Sequence, residues 1–162
     1  MRSFVALIAG LAFAAAASAQ VPPGEQPVDP YTQSDANAGA TPIGGQATLR
    51  AFHGQAGIGR IVDDLVDRAV ADKRIAEIFQ NQDLVRLRRT LKEQVCYLLN
   101  GGCAYTGRDM KSAHTDMGIR QSDFNALVED LQKAMDKEGV PFRAQNRLLA
   151  KLAPMERPTV TR

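Results

Sequence analysis

Apolar positions recur with a helical rhythm over most of the chain. Ile58, Ile61, Val62, Leu65, Val66, Ala69 and Val70 follow the three-then-four spacing of an amphipathic helix, with Asp63, Asp64, Asp67 and Arg68 on the wet side. A second stripe, Leu84, Leu87, Leu91, Val95 and Leu98, runs opposite Arg86, Arg88, Arg89, Lys92 and Glu93, and Gly101-Gly102 closes it. A third begins at Ser122, a good helix cap with Asp123 favourably placed in the first turn, and continues through Phe124, Leu127, Val128, Leu131 and Met135 to Gly139. Pro141 can open a last helix at its first position, with Leu148, Leu149 and Leu152 supplying the buried face. No strand alternation of useful length interrupts these stripes, so the expected class is all-α.

The first 46 residues break the pattern. Arg2, an apolar run from Phe4 to Ala17 and then Ala17-Ser18-Ala19 make residues 1–19 an expected signal peptide cleaved after Ala19. A spanning helix needs about 20 apolar residues, and this run is shorter and ends in small ones. No stable membrane insertion is expected after cleavage, and the compartment expected is outside the cytoplasm, the periplasm in a Gram-negative cell. Residues 20–46, rich in Pro, Gly, Ala and polar side chains, read as a disordered tether, with too little apolar surface to offset the entropy of ordering. Residues 47–157 are then one domain with one core, followed by a short tail at 158–162. The formal net charge of +2, less the one positive charge of Arg2, argues against nucleic acid as a partner, since neutralising phosphates takes a clustered basic excess.

The chemistry concentrates between Cys103 and Ile119, CAYTGRDMKSAHTDMGI, where His114 follows Met110 by four residues and so shares its helix face. Alone, a histidine on an apolar face is more often packed than ligating. More landmarks appear in order along the chain: GQAGI at 54–58, the Asp63-Asp64 pair, Phe79, Gly101-Gly102, YTGRDM at 105–110, His114, Phe124 and LAPM at 152–155. Together, from about Thr48 to Arg157, the chain resembles a group 1 truncated haemoglobin.

That resemblance implies a two-over-two helical sandwich around haem, with His114 as the proximal ligand of haem iron and Phe79 as a haem-packing ring. His114 would offer its ε nitrogen to iron while its δ N–H donates to a backbone carbonyl, that of Met110 being one turn earlier. Tyr105, Met110 and Ile119 are the expected neighbours; Met110 could equally be a core residue filling irregular space. On the distal side the chain departs from the family pattern. Its usual distal tyrosine falls on Val66, beside Leu65, and the gas-facing positions of the next helix fall on Leu87 and Leu91, where many relatives keep at least one glutamine.

Covalent c-type attachment needs two cysteines two residues apart followed at once by histidine, and Cys96 and Cys103 do not fit it. Non-covalent haem b is therefore the expected cofactor. In an exported chain these two cysteines are expected to pair across a short loop, the alternative being two free buried thiols. His53, in FHGQAG, is expected at the surface or at a helix cap rather than on iron. The run Arg86, Arg88 and Arg89 is expected to be a solvated face, one member of which, or else Lys111, would pair with a haem propionate.

Three functions follow. The first is a haem globin binding O2, CO or NO, with O2 transport or NO dioxygenase-type detoxification as its uses and an unidentified electron donor. The second is an exported redox or peroxidase-like haem protein with poor O2 retention. The third is a helical binding module without haem.

Overall fold

The computed structural model of the chain describes residues 21–162; the expected leader lies outside them. Among these described residues eight helices follow one another: α1 (Ala47–Ala51), α2 (Gly54–Ala71), α3 (Ala76–Phe79), α4 (Leu84–Leu98), α5 (Met110–His114), α6 (Gln121–Lys137), α7 (Phe142–Leu152) and α8 (Glu156–Thr159). Two 3-10 turns, Asp35–Ala38 and Ala153–Met155, complete the set, and no strand occurs among the described residues. The long helices are those that the periodicity predicts. α2 is the hub, packing against both α4 and α6, while α7 lies against α4. These four long helices, α2, α4, α6 and α7, make up the two-over-two sandwich. Its core is Phe52, Ile58, Ile61, Val62, Leu98, Leu99, Met135 and Leu148, each 1% exposed or less. Burying each such side chain contributes about 1.5–3 kcal/mol, which is what holds the sandwich shut.

Helix ends differ from expectation by a residue or two. α6 begins at Gln121, so Ser122 lies inside its first turn, and the capping contact is instead the backbone N–H of Arg120 donating to Asp123 Oδ2 at 2.9 Å. Pro141 precedes α7 rather than opening it. At the end of α4 it is Asn100 that takes the left-handed conformation, φ 60°. The N–H of Asn100 donates to Tyr97 O and that of Gly101 to Cys96 O, which satisfies two carbonyls of the last turn. Val70 is 38% exposed and falls outside the apolar stripe of α2.

Residues 21–46 depart most from the sequence reading. They lie packed along the domain as a strap, secured by polar contacts rather than apolar bulk. Gln26 N–H donates to Asp83 Oδ2 (2.7 Å), Tyr31 Oη to Thr106 O (2.7 Å) and Ile43 N–H to Leu98 O (2.7 Å). In return Tyr105 N–H donates to Asp35 Oδ1 (2.7 Å) and Gln94 Nε2 to Ala38 O (3.0 Å). The Glu25 side chain is 1% exposed and paired with Arg86 and Arg89. Composition alone misses this because every partner lies 50 or more residues away. The tail is likewise tied down: Thr159 belongs to α8, and the N–H groups of Thr161 and Arg162 donate to Ile119 O.

Candidate functional site

One cavity of about 450 Å³ opens between α2, α4 and α5, and its size falls within the ordinary range of small-molecule sites. His114, Phe79, Met110, Leu87, Leu91, Tyr105, Val66 and Ile119 all line it. So do residues that the sequence did not assign to the site: Leu65 and Phe124, known there only as a neighbour and a landmark, with Thr90, Gln94 and Leu127, and from the strap Gln26, Pro27, Val28 and Tyr31. The helical stripes carried a signal for Leu65, Phe124 and Leu127; the strap carried none.

His114 is the last residue of the five-residue helix α5. So short a helix is not stable by itself, and its start is fixed by Asp109, whose Oδ1 accepts from Ser112 N–H (3.0 Å) and Oδ2 from Ser112 Oγ (2.7 Å). These bonds from Ser112 hold the Asp109 carboxyl below its ordinary range. At the other end His114 Nδ1 lies 2.6 Å from Met110 O. A carbonyl can only accept, so Nδ1 carries the proton, and Nε2 is left with its lone pair.

The wall contributed by α2 and α4 is largely apolar. Val66 and Leu65 come from α2, Leu87 and Leu91 from α4. Two polar groups stand among them. Thr90 spends its hydroxyl on Arg86 O (3.0 Å) within its own helix. Gln94, 6% exposed, donates to Ala38 O and approaches the sulfurs of Met110 and Met155 at 3.6 and 3.5 Å. Tyr105 donates its hydroxyl to Arg108 O (3.0 Å), and burial, reinforced by Tyr31, Glu93 and Asp109, pushes its phenol up to about 12.

Cationic groups collect at the cavity's rim. Arg86 and Arg108 line it; Arg86 is ion-paired with Glu25 (3.3 Å) and, through a buried Nε that makes no hydrogen bond, with Asp83 (3.7 Å). Arg88 pairs with Asp63 and Asp67, and Arg89 with Glu25 and Glu93, an arrangement that raises the Arg89 pKa chiefly through its bond to Glu25. The three arginines are thus mostly engaged rather than a solvated face. Lys111 is exposed and outside the lining. His53 is also outside it, 3.0 Å from Glu138 Oε1 at the surface.

The bacterial-like globin family profile matches residues 43–160. The chain is a group 1 truncated haemoglobin of that family. Over 87 residues this globin is 31% identical to the group 1 truncated hemoglobin GlbN of Nostoc commune, covering 54% of this chain and 74% of that one. It is 32% identical to the corresponding protein of Synechocystis over 84 residues, 49% of this chain and 68% of the relative. Its fold matches the crystal structure of a Tetrahymena pyriformis truncated hemoglobin with a TM-score of 0.68 at 21% identity, over 71% of this chain and 98% of that one. The 2/2 hemoglobin of Synechococcus, solved with covalently attached heme, matches at 0.66, 21% identity and the same coverage. Globin membership implies haem and, with it, binding of a diatomic gas.

The residues present fit such a group. A histidine with its Nε2 lone pair free and apolar walls for a flat macrocycle meet its two main chemical needs, and Arg86 and Arg108 stand in the lining as the cations nearest to hand for its carboxylates. Cys96 and Cys103 are joined by a disulfide, Cα–Cα 5.7 Å, so neither thiol is free among the described residues. No described helix is long and apolar enough to cross a membrane.

Proposed function

We propose that this globin holds non-covalent haem b through His114 and uses it to bind a diatomic gas reversibly. The observation that carries the proposal is the 2.6 Å bond from His114 Nδ1 to Met110 O, which leaves Nε2 as the lone-pair nitrogen of a histidine lining the cavity. When bound, haem supplies an iron whose sixth position accepts the gas. The chain's own residues do the rest. Phe79, Leu87, Leu91 and Ile119 enclose the ring and keep water from it, and Arg86 and Arg108 offer charge to its carboxylates. Both cysteines being consumed in the disulfide, no thioether to the ring is available, which supports non-covalent binding.

The apolar gas-facing wall sets the ligand preference. Bound O2 gathers partial negative charge, and with Val66, Leu87 and Leu91 facing it no hydrogen bond worth about 1.5–3 kcal/mol stabilises that charge. CO and NO depend less on such a donor. The reading is therefore a gas-binding globin with short O2 retention, for which sustained O2 transport or O2-dependent NO detoxification is a secondary use. Export to an oxidising compartment is part of the proposal, supported by the leader-like residues 1–19 and by the Cys96–Cys103 bond. Absorption spectra of ferric, ferrous and CO-bound protein, compared with those of His114→Ala, test it. A colourless protein refolded with ample haem, or an iron spectrum that ignores the substitution, rejects it.

A further inference from the structure

The family match starts at residue 43, yet part of the cavity wall comes from before it. Gln26, Pro27, Val28 and Tyr31 line the cavity, and the same short stretch is fastened on both sides of the opening. On the α4 side, Gln26 N–H donates to Asp83 Oδ2, Arg86 Nη2 donates to Gln26 O, and Glu25 is paired with Arg86 and Arg89. On the side of the loop leading to α5, Tyr31 Oη donates to Thr106 O, Arg108 Nη2 donates to Asp29 O (3.0 Å), and the Arg108 guanidinium lies 5.2 Å from the Tyr31 ring centre. The stretch is thus a bridge between the wall carrying Leu87 and Leu91 and the wall carrying Met110 and His114.

Its composition fits a cover. Val28 is 45% exposed although it lines the cavity, so little protein packs against it. A valine left open beside an apolar slot gains only when an apolar body fills that slot. The two cations of the rim, Arg86 and Arg108, are also the two that the bridge holds through carbonyls.

We propose that residues 25–31 belong to the cofactor site of this globin: a strap that adds apolar contact from Pro27 and Val28 to the outer edge of the macrocycle and positions Arg86 and Arg108 for its carboxylates. The strap slows haem escape and narrows the opening to ligands the size of a diatomic gas. The inference rests on the haem reading above.

The test uses the full chain from residue 20 onward, loaded with haem, in two variants. Val28→Asp places a charge where the ring edge would lie, at a position too open for the apoprotein to depend on it. Glu25→Gln weakens the clip to Arg86 and Arg89. Haem transfer to excess apomyoglobin is followed by absorbance, and melting of the haem-free proteins is recorded beside it. Val28→Asp should lose haem about tenfold faster, the rate equivalent of one lost valine-sized contact, with an unchanged Soret position and an unchanged apoprotein melting temperature. Val28→Leu should hold haem at least as long as the parent, and Glu25→Gln should fall between. Transfer from both Val28→Asp and Glu25→Gln at the parental rate overturns the strap's role while leaving the haem reading intact. A parent chain that takes up no haem overturns the haem reading, and the strap's role with it.

Discussion

His114 and Met110 stand at opposite ends of a single helical turn, and the Nδ1 of one lies 2.6 Å from the carbonyl oxygen of the other. The bond both turns the imidazole and fixes its tautomer, so that the nitrogen left to ligate is Nε2. His114→Gly should therefore replace the histidine-ligated spectra of the ferrous and CO-bound haem protein by those of haem without a protein imidazole, and millimolar imidazole should restore them by filling the space left behind. Persistence of the parental spectrum without imidazole would place the ligand elsewhere.

Val66 offers a second handle, because it lines the cavity and is the residue onto which the family resemblance carries the distal tyrosine. Val66→Tyr would extend a phenol from α2 toward the bound gas. A hydrogen bond of about 1.5–3 kcal/mol corresponds to O2 leaving roughly ten- to a hundredfold more slowly, with autoxidation slowed alongside. Stopped-flow O2 release measures the effect; CO release, needing no donor, should change much less.

The contrast between the long helices and the strap shows what sequence alone can carry. α2, α4 and α6 each repeat an apolar stripe over about three turns or more, and a stripe of that length declares both the helix and its buried face; α7 shows a shorter one in Leu148, Leu149 and Leu152, with Pro141 to mark its start. α5 is five residues held by Asp109 and by the His114 bond, α1 and α3 are similarly brief, and none repeats long enough to show a period. The strap is less legible still. Its order comes from Glu25, Tyr31 and Asp35 meeting Arg89, Thr106 and Tyr105 from far along the chain, and local composition is silent about partners at that distance. Gln94 was hidden by its setting, a polar residue between the stripe positions Leu91 and Val95 that turns inward to satisfy Ala38 O.

The Cys96–Cys103 bond closes a loop whose sequence separation is 7. Gly101 lets it form, since a Cβ there would come within 2.7 Å of Cys96 Sγ. Loop-closure entropy for so short a ring gives about 2.5 kcal/mol. Cys96→Ser/Cys103→Ser, or reduction of the parent, should lower the unfolding free energy by that amount, seen in urea titration of the haem-free protein as a lower midpoint with little change in m-value.

Gly107 supports the cavity wall by having no side chain. A Cβ at this position would lie 2.2 Å from the hydroxyl oxygen of Tyr105 and 2.4 Å from its Cζ, so Gly107→Ala must displace a buried ring that lines the cavity. Overpacking of this kind costs about 1–3 kcal/mol. Thermal melting should show the loss, and haem transfer should quicken as the ring moves out of the wall.

Glu138, which ends α6, ties that helix to the start of α2 through Arg60 and His53. The hydrogen bond from Arg60, with that from His53, holds the Glu138 carboxyl down to about 2, against an ordinary value of 4.5. A carboxyl depressed on folding stabilises the native state above its unfolded pKa, and that contribution fades as pH falls toward the folded value. Arg60 is well exposed, so screening keeps the effect small. Glu138→Gln should melt a few degrees below the parent at pH 6, roughly 2 °C for a screened pair, and the gap should close between about pH 4.5 and pH 2. Added salt should narrow the gap at pH 6 as well. A difference that stays constant down to pH 2 in the haem-free proteins would mean that Glu138 acts by packing rather than by its charge.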